Sequence, residues 1–246
     1  MQVIPAIDLK DGQCVRLYQG RFDQVTAYND EPAELAARYV GLGAEWVHCV
    51  DLDGARDGRA GNRAVVRQLA GELPERIQAG GGVRERRDVA ELLAAGVGRV
   101  VLGSAAIERR VEFGEWLKRF GAEHLVLALD VVCEAGGDPV VVIRGWTQRS
   151  ELTLWEALDE FGAAGARHVL CTDVGRDGAF TGPAVDLYRQ CLQRYPDLVW
   201  QASGGVRSRA DLEDLADSGV DAVIVGRALL EGRIREQELE PFLRNA

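Results

Sequence analysis

Lysine is almost missing from this chain: Lys10 and Lys118 are the only two in 246 residues, and the remaining basic residues are arginines. A mechanism that forms a Schiff base on a lysine therefore has very few candidates. Cysteine is sparse as well. Cys14, Cys49, Cys133, Cys171 and Cys191 are odd in number, widely spaced and never in a CxxC pattern, which argues against a disulfide framework or a zinc site. Cys49 and Cys171 fall in apolar runs and are expected to be buried small hydrophobes. No stretch of about 18 apolar residues occurs, so no membrane-spanning helix is expected. The chain opens on an apolar strand-like run without a basic n-region, which predicts no signal peptide and a cytosolic location. Positive charge is also in deficit. The formal net charge of −10 excludes the basic footprint of a general nucleic-acid binder. It does not exclude a small anionic ligand, which local backbone N–H groups can hold whatever the global charge.

What is present is alternation. Short valine-rich runs at 2–7, 46–50, 76–79, 99–102, 124–129, 168–172, 199–202 and 222–225 predict strands. Between them, 32–41, 62–72, 86–95, 111–120, 152–164, 184–195 and 210–217 carry the helical period, with Val89, Leu92 and Leu93 on one side and Glu91 on the other. Gly41, Gly96, Gly121 and Gly219 sit where helix ends are expected. Strands alternating with helices imply parallel pairing. Eight such units in a chain of this length predict an α/β fold, a (β/α)8 TIM barrel spanning 1–246 as one domain. No GxGxxG follows the first strand, as an open dinucleotide-binding sheet would want.

The chain also repeats itself. Ala79-Gly80-Gly81-Gly82-Val83-Arg84 returns as Ala202-Ser203-Gly204-Gly205-Val206-Arg207, and Val100-Val101-Leu102-Gly103 as Val223-Ile224-Val225-Gly226. Ile7-Asp8 is matched by Leu129-Asp130, Cys49-Val50-Asp51 by Cys171-Thr172-Asp173, and Arg56-Asp57-Gly58 by Arg176-Asp177-Gly178. Two similar (β/α)4 halves, about 1–122 and 123–246, follow from this. Neither is expected to stand alone, because each would leave open sheet edges.

In a barrel the active site lies at the C-terminal ends of the strands. Asp8, Asp51, Asp130 and Asp173 end strands there. Asp8 and Asp130 follow the first and fifth strands, which stand opposite one another. Two carboxylates facing one substrate are suited to paired general acid and base work. A single strand-end aspartate could instead cap a turn; the symmetric pair favours function. Gly81 and Gly82 after the third strand, Gly103 and Ser104 after the fourth, Gly204 and Gly205 after the seventh, and Gly226 and Arg227 after the eighth read as backbone cradles for phosphate. Tight βα turns alone could explain one such pair. Two matched sets predict two phosphate sites across one mouth, hence a bisphosphorylated small-molecule substrate. His48, His124 and His168 are read as structural, and no ligand cluster suggests a metal. Lys10 is read as a solvated loop lysine. Trp146, in a long loop, could stack on a heterocycle and close the site.

Ile4-Pro5-Ala6-Ile7-Asp8-Leu9, Val15-Arg16-Leu17-Tyr18-Gln19-Gly20, Val50-Asp51-Leu52, Gly80-Gly81-Gly82-Val83-Arg84, Leu127-Ala128-Leu129-Asp130, Gly145-Trp146, Thr172-Asp173, Asp177-Gly178 and Ser203-Gly204-Gly205 together resemble the histidine-biosynthesis sugar isomerases. These are the phosphoribosylformimino-5-aminoimidazole carboxamide ribotide isomerases. The resemblance runs from Ile4 to Gly232, and the run from Ile224 to Gly232 looks like the family's last strand signature. It implies an Amadori rearrangement, aldose to ketose, with no metal or organic cofactor. Asp130 would be the proton donor that opens the furanose, Asp8 the base at C2′, and Thr172 an auxiliary near the acid. Arg16, Gly20, Asp177 and Gly178 would join the substrate site. An acid that must stay protonated predicts a raised pKa for Asp130.

Nearby alternatives are the related cyclase and a bifunctional isomerase that also takes phosphoribosyl anthranilate. The cyclase opens on a Cys-Leu-Asp-like strand where this chain has Ala6-Ile7-Asp8. Arg144-Gly145-Trp146 is similar to the bifunctional loop, whereas Ala79-Gly80-Gly81-Gly82 looks like the monofunctional enzyme. From other classes, a non-catalytic sensor of a bisphosphorylated metabolite would not need both aspartates, and an aldolase would want a strand-end lysine. No exposed apolar helix stands out, so a monomer is expected. The segments 19–28 and 133–150 are long enough to be lids.

Overall fold

The computed structural model describes residues 1–18, 20–58, 61–134 and 136–243. Twelve strands follow in chain order: β1 (Gln2–Lys10), β2 (Gln13–Tyr18), β3 (Arg21–Ala27), β4 (Val47–Asp51), β5 (Ile77–Gly80), β6 (Arg99–Leu102), β7 (Leu125–Val132), β8 (Val140–Ile143), β9 (Gln148–Thr153), β10 (His168–Asp173), β11 (Val199–Ser203) and β12 (Ala222–Val225). Eight of them, β1, β4, β5, β6, β7, β10, β11 and β12, pair in parallel. The ladders β7–β10 and β12–β1 close the ring. The expected eight-stranded barrel is therefore present, and β1 and β7 lie diametrically opposite.

The other four strands depart from the expectation of two long loops. The segments after β1 and β7 fold back as antiparallel hairpins, β2/β3 and β8/β9, on the mouth of the barrel. Gln19 lies outside the described residues.

The outer core forms between barrel and helices. The helix Pro32–Gly41 buries Pro32, Leu35, Ala36 and Tyr39, the i, i+3, i+4, i+7 stripe that a helix lying on a sheet needs. Leu35 is fully buried, and truncating it to alanine would cost about 3 kcal/mol. Gly41 is this helix's last residue rather than the turn glycine; the positive φ of 106° falls on Gly43. Cys49 and Cys171 are buried on this outer side, as expected. The repeat survives in the caps. Asp88 Oδ2 accepts from the amides of Arg84 and Glu85, and Asp211 Oδ2 accepts from those of Arg207 and Ser208.

Candidate active site

The strand-end aspartates divide into two kinds. Asp51 accepts from the amides of Gly54 and Asn62 and from the Asn62 side chain at 2.7 Å. Asn62 also bonds Asp53 and the Leu9 carbonyl, knotting the loops after β1 and β4 together. Asp173 accepts from the Gly175 amide and from Arg176 Nε at 3.0 Å. Both are consumed in holding their loops. The groups that hold them lie two to eleven residues further along the chain, in the loops that each aspartate opens.

Asp8 and Asp130 instead receive side chains returned by the two hairpins. Arg16 on β2 donates Nη1–H to Asp8 Oδ2 at 2.6 Å. Trp146, in the β8/β9 turn, donates its indole N–H to Asp130 Oδ2 at 2.8 Å. Thr172 is in register with Asp130 across the β7–β10 ladder, and its hydroxyl hydrogen-bonds that carboxyl. Burial pushes the Asp8 carboxyl above the usual range; Arg16 opposes this and Asp177 adds to it. Burial raises Asp130 too, with the Trp146 and Thr172 bonds opposing and Asp177 again adding. A carboxylate that acts on both is close to both, so Asp177 belongs to the same cluster. Its Oδ1 is 3.9 Å from Arg16 Nη2.

The hairpins meet over the mouth. Gly20 has φ 69°, and a Cβ there would fall 2.5 Å from the Trp146 ring, so the ring lies directly on the Gly20 backbone. Trp146 itself adopts a φ of 67° and Arg144 one of 56°, both uncommon for residues with a Cβ. Arg144 is tied down by Ser104, whose Oγ accepts its amide at 2.8 Å, and by Glu108. Ser104 is thereby joined to the hairpin as well as to the glycine turn.

The glycine pairs have a structural explanation on their own terms. A Cβ on Gly81 would sit 2.1 Å from the Asp51 carbonyl oxygen, and one on Gly205 would sit 2.2 Å from that of Gly182. Both take positive φ, as do Gly82 and Gly204. These positions require glycine for close loop packing whether or not a ligand binds. Gly103 and Gly226 differ, having negative φ at the starts of the short helices Ser104–Glu108 and Arg227–Leu230. A Cβ on Gly226 would meet the Arg16 guanidinium at 2.6 Å, so Arg16 reaches from Asp8 across to the last strand. Its Nε is buried with no hydrogen-bond partner among the described residues. Arg227 bonds the Gly178 carbonyl and stacks on Phe180 with Arg233 on the same ring. The site thus gathers Asp8, Arg16, Gly20, Asp130, Trp146, Thr172, Asp177, Gly226 and, by way of Gly178, Arg227. Among the described residues, no group of three or more His, Cys, Asp or Glu could hold a metal ion, and no helix is long and apolar enough to cross a membrane.

Comparison with known proteins identifies the family. The sequence profile described as "Histidine biosynthesis protein" matches residues 2–235. The chain belongs to this family. Among curated members, one from Psychromonas ingrahamii is 46% identical over 236 residues, covering 96% of each chain. One from Mannheimia succiniciproducens is 45% identical over 236 residues, with 96% of this chain and 95% of its own covered. One from Vibrio cholerae is 46% identical over 236 residues, covering 96% of each. All three family members are named 1-(5-phosphoribosyl)-5-((5-phosphoribosylamino)methylideneamino)imidazole-4-carboxamide isomerase.

Proposed function

We propose that this chain isomerises the same phosphoribosylamino ribotide, aldose to ketose, in histidine biosynthesis, by acid–base catalysis between Asp130 and Asp8. One observation carries the mechanism: a buried carboxyl and a half-buried one lie near the C-terminal ends of opposed barrel strands, and each is addressed by a donor from its own hairpin. Protonated Asp130 gives its proton to the furanose ring oxygen. The C1′–O bond breaks, and the exocyclic nitrogen takes up the positive charge as an iminium. Asp8 removes the C2′ proton, giving an enaminol. A proton then adds at C1′ while the C2′ hydroxyl loses its own, leaving the ketose. Both raised pKa values fit these tasks. A base with more affinity for protons and an acid that stays protonated nearer neutrality are what enolisation and ring opening need.

Thr172 keeps the Asp130 carboxyl oriented, and Trp146 covers it. The backbone around Gly81, Gly82, Gly103 and Ser104 would seat one phosphate, and that around Gly204, Gly205, Gly226 and Arg227 the other. Arg16 and Asp177 would meet the reacting sugar, and Gly20 and Gly178 would shape the loops over it. The repeat supports the two seats, since it duplicates both turns. Residues 1–246 act as one barrel domain, because β6–β7 and β12–β1 join the halves at both seams. The ligand is small and bisphosphorylated, and no metal or organic cofactor enters any step. A cytosolic monomer without affinity for nucleic acid fits the net charge of −10.

The test is turnover of the formimino ribotide by wild type, Asp8→Asn and Asp130→Asn, with phosphoribosyl anthranilate beside it. Each variant should lose roughly 10³-fold or more in kcat while still binding the substrate. Either variant turning over at near wild-type rate would remove that aspartate from the mechanism. Turnover of the anthranilate would show a broader substrate range.

A further inference from the structure

The barrel interior can be read layer by layer from the strand registers, since each inward layer takes four side chains from alternate strands. Ile4, Gln78, Val126 and Gln201 form one layer and are 0–1% exposed, so it is sealed. The next layer toward the mouth is His48, Val101, Leu170 and Ile224, at 7%, 8%, 4% and 7%. Above it the barrel strands contribute only small side chains, those of Ala6, Ala128 and Ser203 with Gly80, then Val50 and Thr172 with Gly103 and Gly226, and the Arg16 guanidinium from β2 lies against Gly226 on one side. With a closed layer beneath, the residual exposure around His48 opens upward, through the gap left by the small residues. Asp8 and Asp130 stand at the top of that well, and His48 is the one polar side chain on its floor.

The histidine is tied to a pair of glutamines beneath it. Gln78 and Gln201 exchange a reciprocal pair of amide hydrogen bonds across the barrel axis, at 2.7 and 3.0 Å. The pair is satisfied equally with both amides turned over together, so it couples the two orientations; as they stand, each Oε1 accepts from the other amide. The second N–H of Gln78 Nε2 then points at His48 Nδ1, 3.1 Å away. In this orientation Nδ1 accepts and the proton resides on Nε2; the opposite orientation of the amide pair would place it on Nδ1. Burial and the nearby Arg16 charge hold the ring's pKa down to about 4, so it stays neutral. No described residue accepts from Nε2–H. The internal repeat sharpens the point. The repeat places Leu170 where the first half has His48, and Thr172 where it has Val50. In a nearly two-fold symmetric cavity these pairs, with Gly80 against Ser203 and Val101 against Ile224, tell one end from the other.

We propose that His48 is a substrate-contacting residue, its Nε2–H donating to a hydroxyl of the opened sugar that enters the well, with the Gln78–Gln201 amide pair as the positioning group that sets this tautomer. This reverses the reading of His48 as merely structural, and it rests on the isomerase reading above. A fixed neutral donor on one side only gives the substrate a single productive orientation between two similar phosphate seats.

Two substitutions separate the contact from mere packing. His48→Asn keeps an oxygen close to Nδ1 for Gln78 but ends short of Nε2, whereas His48→Gln extends an amide N–H to the Nε2 position. With the formimino ribotide, His48→Asn should lose roughly 10- to 100-fold in kcat/KM and His48→Gln should recover most of it, because a buried substrate hydroxyl is left unpaired only in the first. Inorganic phosphate, as a competitive probe, should bind all three proteins alike. Nitrogen-15 NMR of the His48 ring in the wild type should show Nε2 protonated and Nδ1 bare, without titration between about pH 5.5 and 8. Full activity in His48→Asn, equal losses in both variants, or a proton on Nδ1 would overturn the proposal. An inactive wild type would instead bring down the isomerase reading beneath it, while the NMR arm still decides the tautomer.

Discussion

Asp8 and Asp130 are the same side chain in opposite company. Asp8 has a buried cation against it, and Asp130 has only neutral donors and the negative Asp177. An uncompensated buried carboxylate costs stability, and the sign follows from its raised pKa. Below the unfolded-state value both states are protonated and nothing is lost. As pH climbs through the folded-state value, the ionised form is penalised only in the folded protein. Asp130→Asn should therefore raise the melting temperature at pH 7, and the gain should vanish near pH 4. Thermal melts at the two values check this, and a variant less stable at pH 7 would contradict it. Trp146→Phe tests the same residue from the other side. Its indole bond favours the ionised carboxyl, so its loss should raise the Asp130 pKa further. The high-pH limb of the kcat/KM profile should move upward, and a limb that moves down or stays put would refute the assignment of Asp130 as the acid.

The two hairpins do at the mouth what the barrel strands do not: they bring a donor back to the aspartate that precedes them. Their mutual contact at Gly20 and Trp146 makes them one cover. Gly20→Ala places a Cβ 2.5 Å from the ring at a φ of 69°. The backbone strain is worth only about 1 kcal/mol, but the ring must move off Asp130. A fall of roughly 10-fold in kcat/KM, a changed Trp146 fluorescence and a melting temperature lower by only a few degrees are expected. Unchanged kinetics would show that the cover is not needed. These hairpins were also the part of the fold that the sequence concealed. Barrel strands advertise themselves by continuous apolar runs, being buried on both faces, and the eight were legible together with most of their helices. β3 buries no residue and β9 none, so neither leaves a hydrophobic alternation to read. The opposed aspartates were legible because the repeat displays them twice. The tie of Asn62 to the Leu9 carbonyl and the reach of Arg16 from Asp8 to Gly226 were not, since each joins residues far apart in the chain with no local pattern.

At the level of the whole barrel, the two halves share one reciprocal bond between equivalent side chains. Gln78 and Gln201 are 123 residues apart, the same interval that relates the glycine motifs of the two halves. Each copy of the half-barrel thus offers its glutamine to the other copy's equivalent, as two subunits do across a two-fold axis. In a sealed layer otherwise built from Ile4 and Val126, an amide without its partner is costly. Gln201→Leu should destabilise by about 1–3 kcal/mol, because it strips Gln78 of both a donor and an acceptor. Gln78→Leu should cost at least as much, since it also leaves His48 Nδ1 without its donor. The double variant removes the amide pair altogether and leaves only that nitrogen unpaired. Its loss should therefore fall short of the sum of the singles by about 1–2 kcal/mol. Urea unfolding of the four proteins measures the difference. Additive losses would mean that each glutamine is held by its own half, and that the halves are joined by strand pairing and apolar packing alone.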